Sequence, residues 1–216
     1  MDNFSVIITA GGTSTRYGSK NKLLEYINDK TVIEETVSKF IKFDCINEII
    51  IPANKGIINN LISILKYEKI KFVEGGETRQ KSVFNALQVV NNPYVLIHDG
   101  ARPLITENII KDTIEKTIMY NAVSVMTKTT DTIKEVDENG KIIRTIDRSK
   151  LYNTQTPQGF KTSLVLDAHR KLINANYTDD SSMLEELGIP VYIVNGSYTN
   201  IKITVKNDLD FAKIYI

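Results

Sequence analysis

Apolar residues along this chain gather in short runs rich in isoleucine and valine, separated by longer stretches of helical period. Phe4 to Thr9, Ile46 to Pro52, Ile70 to Val73 and Tyr94 to His98 are nearly continuous in apolar side chains. Such runs suit parallel strands covered on both faces, because a strand with one wet face would alternate. Between them, Val32, Ile33, Val37, Phe40 and Ile41 recur at helical spacing. So do Val83, Leu87 and Val90, and later Ile109, Ile110, Ile114 and Ile118. Strand alternating with helix predicts right-handed βαβ crossovers and a mostly parallel sheet with helices on both sides.

One stretch breaks the rhythm. From Thr132 to Asp147 the pattern is two strands, DTIKEV and KIIRTID, around Asp137-Glu138-Asn139-Gly140. Asn-Gly is a hairpin-turn signal. Helical spacing resumes only at about Leu164 to Ile173. A hairpin placed in so long an excursion is expected to protrude, either toward a partner subunit or as a surface flap.

Composition narrows the classes. The 216 residues fit one large domain, since that length can bury a single sizeable core. Lys plus Arg number 27 against 26 for Asp plus Glu, so no long-range field pulls the protein toward nucleic acid or an anionic membrane. Any anion site must be local. No apolar run approaches the roughly 18 residues of a membrane span, and the first residues carry no basic flank of a signal peptide. Cys45 is the sole cysteine, which excludes intrachain disulfides and multi-cysteine metal sites. A soluble, cytoplasmic protein is expected.

The first apolar run ends in Thr9-Ala10-Gly11-Gly12-Thr13-Ser14-Thr15-Arg16-Tyr17-Gly18-Ser19-Lys20-Asn21-Lys22. Small residues let backbone N–H groups approach a phosphate closely. Ligands of open α/β sheets bind at the carboxyl ends of strands, where this turn falls. A P-loop would need Gly-Lys-Ser/Thr, and a dinucleotide fingerprint would need G-x-G-x-x-G opening a helix; neither occurs. The turn instead carries two cations: Arg16 can fork two phosphate oxygens, and Lys22 supplies a compact charge. Attack at the α-phosphorus of a triphosphate builds charge on non-bridging and leaving oxygens, which preplaced cations favour. By themselves these residues suit either that role or a surface loop with incidental charges.

Four further segments decide between the two: Gly75-Gly76-Glu77-Thr78-Arg79-Gln80-Lys81-Ser82-Val83, His98-Asp99-Gly100-Ala101-Arg102-Pro103, Thr154-Gln155-Thr156-Pro157-Gln158-Gly159-Phe160 and Asn200-Ile201-Lys202-Ile203-Thr204. With the first loop and Thr178-Asp179-Asp180, this ordered set resembles the 2-C-methyl-D-erythritol 4-phosphate cytidylyltransferase family, across essentially the whole chain. The resemblance implies a Rossmann-like three-layer α/β nucleotidyltransferase fold over residues 1–216, with a β-arm at about 129–152. It implies that CTP and a small polyol phosphate combine to a CDP-polyol and pyrophosphate in non-mevalonate isoprenoid synthesis.

The same resemblance implies the site. Arg16 and Lys22 are its catalytic cations. Ala10, Gly11, Gly12, Gly76, Glu77, Ser82 and Gly100 are its CTP contacts, with the Gly75–Glu77 turn at the cytosine. Asp99 is its ligand for Mg²⁺, a hard cation that suits one carboxylate plus phosphate oxygens and waters. Arg102, Thr132, Arg148, Thr156, Thr178 and Lys202 are its acceptor-binding set. A homodimer joined through the arm is implied too, in which Thr132 and Arg148 serve either their own or the neighbouring site. His98 is expected to be structural, and His169 carries no functional signal. Ser14, Gly11, the Asn21-Lys22-Leu23-Leu24 run and Gly100 depart from the family pattern and bear on loop geometry. A sister reading is a ribitol 5-phosphate cytidylyltransferase, favoured by Ala10-Gly11-Gly12-Thr13; a further one is a nucleotide-binding regulator that has lost catalysis. Nucleic-acid binding is not expected, since no aromatic and basic stripe occurs.

Overall fold

The structure, a computed structural model, describes residues 3–11, 17–18 and 21–216. In chain order, β1 (Phe4–Thr9) is followed by a small hairpin, β2 (Tyr26–Ile27) and β3 (Lys30–Thr31), and by α1 (Val32–Phe40). Then come β4 (Ile46–Ala53), α2 (Lys55–Ile64), β5 (Ile70–Glu74), α3 (Arg79–Leu87), β6 (Tyr94–Asp99) and α4 (Glu107–Tyr120). The second half holds β7 (Ala122–Lys128), β8 (Ile133–Val136), β9 (Ile142–Ile146), β10 (Tyr152–Lys161), α5 (Thr162–Lys171), α6 (Ser181–Glu186), β11 (Tyr192–Asn195) and α7 (Lys206–Tyr215).

Seven strands form the central sheet in the order β11-β7-β10-β6-β1-β4-β5. All neighbours are parallel except β10, which runs antiparallel to both β6 and β7. Alternation along the strands divides the core. Phe4, Val6 and Ile8 of β1 pack with Val32, Ile33, Val37 and Phe40 of α1 on one face, joined there by Leu61, Ile110 and Leu209 from α2, α4 and α7. Ile7 points the other way, into a cluster with Val83, Val165 and Leu184 of α3, α5 and α6. Both faces of β1, β4 and β6 are thus dry, as continuous apolar runs require, while β5 at the edge is only partly covered.

Local chemistry starts and stops the helices. Thr31 and Glu34 form a reciprocal capping box on α1. Thr106 caps α4, which ends at Asn121 with φ 64°, a left-handed residue that closes the last turn before β7. The close packing of α4 on β10 leaves no room at Gly159: a Cβ there would lie 2.0 Å from Thr117 Oγ1. That hydroxyl is buried and donates to the Thr113 carbonyl at 2.6 Å. Gly159→Ala is therefore expected to destabilise the fold by about 1–3 kcal/mol, seen as a lower urea midpoint. An unchanged midpoint would show that α4 shifts off the sheet at little cost.

Candidate active site

Neighbouring strands β1 and β6 send their onward connections to opposite sides, through α1 to β4 and through α4 to β7, so their carboxyl ends open a crevice. Ala10, almost fully buried, continues β1 as a bridge to Ala53. Gly11 follows, its carbonyl accepting from Asn54 Nδ2 at 2.8 Å. A Cβ on Gly11 would approach Ser82 Oγ to 3.0 Å, so the first glycine turn lies against the second. Ser82 Oγ accepts the Gly76 N–H at 3.0 Å and donates to the Thr78 carbonyl at 2.9 Å. Gly76 is also required sterically, because a Cβ there would meet Lys81 Cβ at 2.4 Å. Glu77 stands exposed and pairs with Lys81 at 2.9 Å. Gly100 sits behind the crevice, where a Cβ would lie 2.8 Å from the Thr9 carbonyl oxygen. Lys22 Nζ donates to the Ile203 carbonyl at 2.6 Å, tying the end of the first loop to the chain segment near residue 203. Gly12 and Arg16 lie outside the described residues.

Asp99 ends β6 at the crevice, and three cations surround its buried carboxylate. Lys202 Nζ lies at 2.9 Å, Arg102 Nε at 3.4 Å and Arg79 Nε at 3.5 Å, with Thr9 Oγ1 at 3.4 Å. Burial works against this charge, but Lys202, Arg79 and Arg102 outweigh it and hold the group ionised far below the usual carboxylate range. Burial likewise pulls Arg102 down, and Asp99 offsets only part of that. The strongest bond of Arg102 is to the Asn200 carbonyl, at 2.7 Å.

His98, beside Asp99, points away from the crevice and packs against Phe40 with the rings tilted at 56°. Its Nε2 lies 3.2 Å from the Arg102 carbonyl and its Nδ1 lies 3.1 Å from Thr156 Oγ1. Thr156 in turn accepts the Asp99 N–H at 3.0 Å. A neutral ring donating from Nε2 and accepting at Nδ1 satisfies every partner. Burial lowers its pKa from 6.5 to about 3. The unfolded chain takes up this proton below about pH 6.5 while the folded chain refuses it until about 3. Stability should therefore fall as pH drops through that window, by up to about 1.4 kcal/mol per pH unit from this group. Melting curves at pH 7 and pH 5 should show a larger drop for the parent than for His98→Gln; equal drops would contradict the assignment.

Thr156 reaches the crevice because the register of β10 shifts between Thr154 and Gln158. Gln155 and Asn200 close the floor: Asn200 Nδ2 donates to Gln155 Oε1 at 3.2 Å and to the Thr156 carbonyl at 3.0 Å. Asp99, Arg102, Thr156, Thr178 and Lys202 line one cleft of about 690 Å³, together with Arg79. Thr132 and Arg148 do not line it. They are exposed at the base of the β8–β9 hairpin, where Arg148 donates to the Thr130 carbonyl.

Three polar groups, Arg79 in this cleft and two buried behind it, were given no role by the sequence. Arg79 stood just beyond the turn assigned to the cytosine, and its guanidinium faces Asp99 and Asp180. Asp180 stood inside Thr178-Asp179-Asp180 with no partner in view, and it is fully buried. Gln158, also fully buried, holds that turn by donating to Asp179 Oδ2 at 2.7 Å and accepting the Asp180 N–H at 3.0 Å. Their common signal was polarity inside quoted motifs; their contacts span up to 101 residues, beyond any local pattern.

A carboxylate ringed by three cations at the switch point of a three-layer α/β fold is the site of a nucleotidyltransferase. Residues 4–216 match the 2-C-methyl-D-erythritol 4-phosphate cytidylyltransferase family, and the chain belongs to it. It is 39% identical to the enzyme of that name from Bacillus cereus, covering 99% of this chain and 97% of the relative. The solved 4-diphosphocytidyl-2C-methyl-D-erythritol synthase of Anaerococcus prevotii superposes with a TM-score of 0.88 at 33% identity, covering 99% of this chain and 96% of that one. The Francisella tularensis 2-C-methyl-D-erythritol 4-phosphate cytidylyltransferase superposes with a TM-score of 0.86 at 31% identity, over the full length of both.

Proposed function

We propose that this chain transfers the cytidylyl group of CTP to 2-C-methyl-D-erythritol 4-phosphate, giving 4-CDP-2-C-methyl-D-erythritol and pyrophosphate for isoprenoid synthesis. Family membership supports the reaction, and the observation that carries the mechanism is the set of three cations converging on Asp99. An acceptor phosphate oxygen attacks the α-phosphorus of CTP, the bond to the β-phosphate oxygen breaks, and pyrophosphate departs. A phosphate monoester has a second pKa of about 6 and is largely dianionic at neutral pH. The nucleophile thus needs no general base. His98 is no candidate for one, being buried with both nitrogens engaged.

Catalysis then reduces to bringing two anions into line and neutralising them. Lys22 and Arg16 act at the triphosphate, and Ala10, Gly11 and Gly12 offer it backbone N–H groups. Gly76, Glu77 and Ser82 frame the cytosine. Lys202 and Arg102 hold the acceptor phosphate, with Thr156 and Thr178 beside it. Both cations rest on Asp99 and exchange that carboxylate for phosphate when substrates enter.

Asp99 also suits Mg²⁺. It is a hard oxygen donor, and among the described residues no group of three or more His, Cys, Asp or Glu forms a protein-only cage. A cation taking one carboxylate must complete its shell with phosphate oxygens and water, the habit of Mg²⁺. Bound there, the ion supplies charge neutralisation across the triphosphate oxygens.

The arm supports a homodimer. Val136, Ile142 and Ile143 are each more than half exposed on β8 and β9, and a two-stranded hairpin is marginal by itself in water. A second copy that covers these side chains would receive Thr132 and Arg148 at its own cleft. Replacing Ile142 and Ile143 with lysine should shift the mass measured by light scattering from dimer to monomer; an unchanged mass would remove the arm from the interface. Among the described residues no helix is long and apolar enough to cross a membrane, and a cytoplasmic setting agrees with a substrate pair of small charged metabolites.

Pyrophosphate release from CTP with methylerythritol phosphate tests the proposal. Release that is unaffected in Lys202→Ala would overturn the acceptor assignment.

A further inference from the structure

The phosphate chemistry leaves Arg79 unexplained. It opens α3 just after the Thr78 cap, and its side chain is one quarter exposed. The guanidinium bridges two carboxylates, donating from one terminal nitrogen to Asp180 Oδ2 at 2.8 Å and lying 3.5 Å from Asp99 Oδ1 through Nε. Burial opposes its charge, but Asp180 and Asp99 hold it above the ordinary range.

The two acceptors differ in how firmly they are fixed. Asp180 is fully buried, its N–H held by Gln158 and its other carboxylate oxygen 3.1 Å from His169 Nε2. His169 is also buried and stacks on Phe84 of α3. Its Nδ1 has no partner among the described residues. Arg79 is the permanently charged partner of Asp180, at 2.8 Å. Removing Arg79 from Asp180 would strand a buried charge, a loss far greater than breaking an exposed pair. Lys202, by contrast, is 41% exposed and free to swing on a flexible stem.

We propose that Arg79, anchored on Asp180, is a positioning residue that keeps the Asp99 carboxylate aimed into the cleft while Lys202 and Arg102 leave it for phosphate. The inference rests on Asp99 acting at the triphosphate. It makes α3, α5 and the Thr178–Ser182 turn a rigid backing for one catalytic carboxylate. Partners that orient a metal-binding carboxylate typically matter by about 10–100-fold in activity or metal affinity.

The test compares the parent with Arg79→Gln, Arg79→Lys, Asp180→Asn and the double variant Arg79→Gln/Asp180→Asn. Turnover, both KM values, melting temperature, and Mn²⁺ binding to the CTP complex by electron paramagnetic resonance are measured. Arg79→Gln should lower kcat by about 10–100-fold and weaken Mn²⁺ binding, with KM for the acceptor changed less than about threefold. Arg79→Lys should recover part of the loss, since a point charge reaches one carboxylate but not both. Asp180→Asn should act in the same direction, and the double variant should be no worse than Arg79→Gln because the anchor then has nothing to hold. Wild-type kcat and Mn²⁺ binding in Arg79→Gln, a loss confined to KM, additive losses in the double variant, or failure of the variants to fold would each overturn the proposal. A parent inactive with methylerythritol phosphate, yet showing weakened Mn²⁺ binding in Arg79→Gln, would sink the substrate assignment and leave this inference standing.

Discussion

Replacing Asp99 with asparagine should lower kcat by about 10³-fold or more. In the proposed metal-binding role the carboxylate would support several kcal/mol of charge neutralisation in the transition state, and about 4 kcal/mol corresponds to a thousandfold. The variant also has a distinctive second signature. Lys202 and Arg102 now spend their charge on Asp99 at 2.9 and 3.4 Å. An amide releases both, so the acceptor KM should stay level or fall while kcat collapses. Steady-state kinetics with both substrates separate the two parameters. A rise in acceptor KM with kcat preserved would mean that Asp99 binds the acceptor and takes no part at the triphosphate.

The second large effect is expected at the first loop. Lys22→Ala should cost on the order of 10²–10³ in turnover, the scale for losing one transition-state donor, and Arg16→Ala should cost the same. Lys22 is already aimed by the Ile203 carbonyl at 2.6 Å, so its loss removes a preset charge and not a side chain that must first be ordered. Because Ile203 follows Lys202, the same short segment holds Lys22 and places Lys202 at Asp99. A loss below tenfold for both variants would take the loop cations out of the mechanism.

Much of the fold was legible because four of its parallel strands are nearly continuous in apolar residues. Phe4–Thr9, Ile46–Ala53, Ile70–Glu74 and Tyr94–Asp99 appear where their isoleucine and valine runs predicted them, and the Asn139-Gly140 turn does join β8 to β9. Strand β10 was not legible as a strand. Asn153, Thr154, Gln155, Pro157 and Gln158 break any apolar run, yet it sits between β6 and β7 because Gln158 satisfies its buried amide on Ser124, Asp179 and the backbone of the Thr178–Ser182 turn. It carried a motif signal for binding while its strand character was hidden by the polar contacts that make it useful.

The site shows the same division. Asp99 was legible because an aspartate closing an apolar strand of an α/β sheet falls at the crevice. Lys202 carried a role only through the motif resemblance, and only folding brings it 103 positions back along the chain to Asp99. Arg79 and Asp180 lay inside quoted segments, but their pairing is a tertiary fact that no local spacing encodes.

The most direct test of the account is pyrophosphate release from CTP and Mg²⁺ with 2-C-methyl-D-erythritol 4-phosphate and ribitol 5-phosphate supplied in parallel. The account predicts rapid release with the first and little with the second. Preference for ribitol 5-phosphate, or CTP binding with no release from either, would contradict it.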